Sequence, residues 1–196
     1  EEPKVRREVP VVVIVLVLAF WSSACRHRYF PDRDAAVKYL GEHQQDLEGI
    51  TEAWAAGLPA HPSIFCNFSP DNYRWGGTFI RKGSDGFAVE GGSKKAKLAT
   101  LEAAINWAGA PPEAFAHWMD VTTRNKIYCI QDGSDATVEI MLAGSDWSPY
   151  GFRYAPKGDA QGLETLAFYA RQGGMDNSDR RMEPVSGRWF YFEAKR

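Results

Sequence analysis

The hydrophobic pattern separates one unbroken apolar run from a longer remainder in which apolar residues recur at helical or strand spacing. Positions 11–20 contain no polar side chain, and the run continues through Trp21, Ser22, Ser23 and Ala24 to Cys25. A helix over 11–25 would span roughly 22 Å, short of the roughly 30 Å of a bilayer's hydrocarbon, so snorkelling flanks or local thinning would have to complete a crossing. The length also suits the apolar region of a signal peptide, with Lys4, Arg6 and Arg7 ahead of it and Ser22 and Ala24 at the small positions of a cleavage site. A buried strand is the weaker reading, because the unbroken run exceeds the usual strand of roughly 5–6 residues. Residues 1–25 are therefore expected to be a membrane anchor or signal segment, meeting the membrane through 9–25, and 26–196 a single domain. Orientation stays open, because Arg26, Arg28 and Arg33 match the positive charges on the near side.

Beyond the run, Val37, Leu40, Leu47, Ile50 and Trp54 recur every three or four residues and predict a helix over about 31–54 with a polar outer face. Gly57, Pro59 and Pro62 end it. A strand over 63–68 follows, then a hairpin of 75–81 and 87–90 across a turn-rich 82–86. A second helix is expected over 95–108, on Leu98, Leu101 and Ile105, and a third from Pro111-Pro112 to about 121. Strands are then expected over 126–131, 136–143 and 150–154. The stretch 163–171 fits either helix or strand, 172–179 reads as a loop, and 181–185 pairs with 189–193 in a last hairpin. Runs of strands alternating with runs of helices predict an α+β fold, an antiparallel sheet with two or three helices on one face. In the last strand Trp189 and Tyr191 point one way and Phe190 and Phe192 the other, and one of those faces is expected to enter the core.

That last strand, in Gly187-Arg188-Trp189-Phe190-Tyr191-Phe192-Glu193, resembles the ending of a group of small bacterial membrane-anchored proteins that finish with Gly-x-Trp, an aromatic pair and an acid. The resemblance covers the last hairpin and, loosely, the order of elements from Pro31. It implies a bacterial membrane or cell-envelope location and no particular activity. Ser23-Ala24-Cys25 resembles the end of the bacterial lipoprotein cleavage motif, departing at Ser22 where that family usually has Leu. Cys25 is thus a candidate lipidation site, beside the alternatives of an uncleaved anchor and ordinary cleavage.

Charge excludes one class of partner by its balance: 23 Lys and Arg against 25 Asp and Glu give a formal −2, without the basic excess of a nucleic-acid binder. Cys66 and Cys129 both sit in strand-like runs. They form a candidate disulfide if the domain lies outside the cytoplasm, or two buried thiols if it does not. Glu113, His117 and Asp120 share a helix face that could ligate a metal or tune a base, but such spacing also describes a solvated face. No nucleophile elbow, phosphate loop or zinc spacing occurs, so no catalytic residue, metal site or cofactor is assigned. Seven Trp, eight Tyr and eleven Phe exceed what a core needs. The segment 146–154 mixes rings with polar groups, which makes Asp146, Trp147, Tyr150 and Arg153 the ligand-binding candidates. The expected function is non-catalytic binding of a protein partner or envelope ligand through an aromatic surface. An envelope hydrolase using His117, and a structural envelope protein, are the alternatives.

Overall fold

The computed structural model describes residues 33–69, 71–133, 136–143, 150–171 and 180–194, so the apolar run, Cys25, Asp146 and Trp147 lie outside the described residues. Among the described residues no helix is long and apolar enough to cross a membrane.

Helix α1 (Arg33–Ala55) buries Ala36, Leu40, Leu47, Thr51 and Trp54 as one stripe. It stops where the Leu58 N–H donates to the Ala53 carbonyl and the Gly57 N–H to that of Trp54, both at 2.9 Å, with Gly57 at φ +73°. Strands β1 (Ile64–Ser69), β2 (Asn72–Trp75), β3 (Thr78–Gly83), β4 (Gly86–Gly91) and β5 (Lys94–Leu98) then form a meander. Helices α2 (Leu101–Trp107) and α3 (Pro112–Arg124) interrupt it before β6 (Cys129–Asp132), β7 (Val138–Ala143) and β8 (Tyr150–Tyr154). Helix α4 (Ala160–Arg171) precedes the closing hairpin of β9 (Arg180–Ser186) and β10 (Trp189–Ala194).

The fold is α+β: one ten-stranded antiparallel sheet, in the order β5-β4-β3-β2-β1-β6-β7-β8-β10-β9, with four helices among the described residues. Two expectations need correction. The strand expected over 75–81 is split by a Gly76-Gly77 turn into the end of β2 and β3, and the helix expected over 95–108 begins only at Leu101. Gly92, at φ +58°, turns the chain back so that Lys95 pairs with Glu90 across β4 and β5, while the Thr100 hydroxyl accepts from the Ala103 N–H and starts α2 there.

Strand alternation gives the sheet two different faces. The first carries Phe65, Ile80, Ile130, Ile140, Phe152 and Trp189 against Leu40 and Trp54 of α1, Ile105 of α2 and Trp118 of α3. The second carries Cys66, Cys129, Met141, Met182, Phe190 and Phe192 against Leu163, Leu166 and Ala167 of α4. Three helices thus share a face, as expected, but a fourth lies on the other, and both faces of the last strand are buried. Strands β2–β5 contribute nothing to the second cluster. Lysines on edge strand β5 and Pro184 on edge strand β9 discourage further pairing at either side. Gly151 permits the close approach of β8 to β7, since a Cβ there would run into the Ile140 carbonyl oxygen.

Candidate binding surface

Of the binding candidates within the described residues, Tyr150 and Arg153 stand on opposite faces of β8. Tyr150 joins the first-face core, its ring 6.5 Å from that of Tyr191. Arg153 points the other way and is 2 % exposed, directly opposite Glu139, also 2 % exposed, with which it forms an ion pair. Gln131 donates to the second Glu139 oxygen at 2.6 Å, and the Arg153 guanidinium reaches to 3.9 Å from the Met182 sulfur. The strand alternation therefore keeps these two residues from sharing a surface. Their neighbours Tyr154 and Tyr191 hold their phenolic protons more tightly than usual, chiefly because burial disfavours the phenolate and secondarily because Glu52 and Glu193 lie beside them.

Cys66 and Cys129 are joined in a disulfide between directly opposed residues of β1 and β6, with Cα atoms 4.1 Å apart. The Asn67 N–H donates to the Tyr128 carbonyl on one side of this pair, which places the cysteines at a non-hydrogen-bonded position where side chains approach most closely.

His117 is exposed on α3 and packs edge-on against Trp118 at 4.9 Å, while Asp120 is held by Arg124 at 2.6 Å. The fold brings His117 and His43 to one open groove of about 750 Å³ between α1 and α3, floored by Ile50, Trp118 and Val121. Among the described residues no three His, Cys, Asp or Glu side chains are placed to hold a metal ion.

A second cluster, which the sequence reading passed over, occupies the second face at β1–β3. Phe79 stands directly opposite Arg74, and Arg81 follows two residues along the same face. Both guanidinium groups lie against the Phe79 ring, at 4.9 Å and 5.2 Å from its centroid. A bulge in β1 between Asn67 and Ser69 brings Phe68 alongside, nearly parallel to Phe79 at 6.1 Å, and Tyr128 meets Phe68 edge-on at 5.2 Å. All three rings are part-exposed, and Arg81 is exposed. Around them run three ion pairs: Lys82 with Asp71 at 2.8 Å, Lys95 with Glu90 at 2.7 Å and Lys97 with Asp85 at 2.9 Å. Lys95 and Lys97 hold the carboxyls of Glu90 and Asp85 below the usual carboxylate range, mainly through these hydrogen bonds.

No protein-family model, curated protein or solved structure matches this chain.

The overall charge balance conceals a local one. Residues 64–98 carry six Lys and Arg against three Asp and Glu, whereas α1 carries two against five. The basic residues therefore concentrate on the sheet half that holds the ring cluster. The signal available in the sequence was the alternation of Arg74, Phe79 and Arg81 with the inward Tyr73 and Ile80. It could be used only once the Gly76-Gly77 turn had set the register of β2 against β3.

Proposed function

We propose that this chain is a membrane-tethered or exported, non-catalytic domain that binds a protein partner through the aromatic and arginine face of β1–β3. The observation that carries this reading is the cluster of Phe79, Arg74 and Arg81 on the part of the second face, over β2 and β3, that no described helix packs against, with Phe68 and Tyr128 at its border with the α4 cluster. Aromatic and arginine side chains are enriched at protein interfaces and supply most of their energetic centres, whereas lysine and acidic residues favour the rim. The same division of residue types is present here. The Cys66–Cys129 disulfide supports an oxidising compartment and hence export, in keeping with the apolar run at 11–20. The hydrolase reading, His117 with Glu113 or Asp120, draws less support at Asp120, which Arg124 engages.

The test uses the full chain expressed in its native membrane and recovered after mild crosslinking, as wild type, Arg81→Ala, Phe79→Ala with Arg81→Ala, and His117→Ala. A partner recovered with wild type and His117→Ala but lost from both face variants is the expected result. Equal recovery with all four overturns the assignment of the face.

A further inference from the structure

On the open face, directly opposed residues of β2–β5 form two transverse rows: Arg74, Phe79, Glu90 and Lys95 in one, and Asn72, Arg81, Ala88 and Lys97 in the next. The first row is largely satisfied within itself, since Lys95 holds Glu90 and the Arg74 Nε donates to the Gly76 carbonyl at 2.9 Å. The second is not. Among the described residues the Arg81 guanidinium makes no hydrogen bond or ion pair; its Cζ lies over the Phe79 ring at 5.2 Å from the centroid, and Glu90 of the first row is near enough to feel its charge. Ala88 is an exposed notch between Arg81 and Lys97. Two inter-strand spacings separate the outer pair, about 10 Å between Cα atoms; Lys97 is engaged by Asp85, so Arg81 is the side chain that can reach a group seated over the alanine.

Resting on the partner-binding reading above, we infer that this notch receives a carboxylate side chain of an acidic protein surface, with apolar residues of that partner packing on Phe68 and Tyr128. A guanidinium stacked on an aromatic ring keeps its N–H edge outward, in the geometry that grips a carboxylate with two hydrogen bonds. Continuous polyanions fit less well, for two reasons. Asp71, Asp85 and Glu90 ring the same patch, so a nucleic-acid backbone or an anionic bilayer would meet three carboxylates along with the cations. Both guanidiniums also cover the Phe79 ring, which removes it as a platform for stacking bases. A protein surface can place one acid over Ala88 and keep its other charges clear of the rim.

The full chain in phosphatidylcholine nanodiscs is titrated by fluorescence anisotropy with a labelled short peptide of alternating Glu and Leu, with its Lys and Leu counterpart, and with a short thymidine strand. Binding of the acidic peptide, weakened about tenfold or more by Arg81→Ala and by Ala88→Glu and only partly by Arg81→Lys, is the expected result. Ala88→Glu fills the notch with the chain's own carboxylate; both positions are exposed, and unchanged circular dichroism guards against misfolding. Absence of acidic-peptide binding, equal or tighter binding of either other probe, or insensitivity to Ala88→Glu overturns the inference. The crosslinking result keeps the two readings apart: face-dependent partner recovery without acidic-peptide binding removes the acidic partner and leaves the face standing. Face-independent recovery removes the face itself.

Discussion

The second face of the sheet has two halves built from the same kinds of residue and put to opposite uses. Over β6–β10, α4 covers Met141, Phe190 and Phe192, and Arg153 is sealed beneath it in a pair with Glu139. Over β2–β5, Arg74 and Arg81 lie on Phe79 with no described helix above them. Burial makes the first arginine's interactions essential to the fold, because a charge removed from water must keep its partner. Exposure makes the second arginine's interactions dispensable to the fold and available to another molecule. The two halves should therefore separate cleanly when stability and binding are measured on the same variants.

The largest effect is expected at their junction. The disulfide joins β1 to β6 and closes a span of 63 residues, which corresponds to about 4 kcal/mol in the chain-entropy treatment. Cys66→Ala with Cys129→Ala should lower the urea midpoint of the whole domain accordingly. A drop under about 1 kcal/mol would mean that the surrounding packing, not the link, holds the halves together.

Somewhat smaller, at about 3 kcal/mol, is the expected cost of Glu139→Ala, which leaves the Arg153 guanidinium buried beside Met182 without its carboxylate. Glu139→Leu combined with Arg153→Met should restore much of the loss, because the pair then no longer has to be desolvated. If Glu139→Ala proves neutral to urea unfolding, the closed half is more hydrated than its burial indicates.

The two halves should also respond to opposite ends of the pH scale. Tyr154 and Tyr191, on the first face of β8 and β10 behind the covered half, must stay protonated in the fold, so their contribution is fully present below the unfolded tyrosine value of about 10 and is lost as pH rises beyond it. Glu90 and Asp85 on the open side are held ionised, so theirs is present above the ordinary carboxylate range and is lost as pH falls below it. Urea midpoints measured across the alkaline limb should fall less steeply for Tyr154→Phe with Tyr191→Phe than for wild type. An unchanged slope would assign alkaline unfolding to other groups.

How much of this was legible in the sequence differs between the halves for a physical reason. Helix α1 could be read because Leu40, Leu47 and Trp54 make an unambiguous stripe, and the Gly57 cap marks its end. The stretch before α2 is ambiguous in sequence, because Leu98, Leu101 and Ile105 satisfy a helical period as well as a strand followed by a helix. What decides between them is the Gly92 turn and the Thr100 cap. Nearness along the chain groups Arg153 with Tyr150, although a strand's period of two puts them on opposite faces. The Phe79 cluster was beyond local reading, because Arg74, Phe79 and Phe68 meet only through strand register, and β1's bulge shifts that register by one residue.

The smallest stability effect is expected at the residue with the largest proposed role. Arg81→Ala removes one exposed cation from one face of a ring that Arg74 still touches, so it should cost about 0.5 kcal/mol, within the range of an exposed cation–π contact. The same substitution is expected to abolish recovery of the partner. Arg81 and Arg153 thus form a matched pair of probes: the same side chain on the same sheet face, one expected to register in the urea midpoint and the other in binding. An Arg81→Ala loss of 2 kcal/mol or more would erase the contrast. It would mean that the open half is sealed against something within the chain itself, and that its arginines serve the fold as Arg153 does.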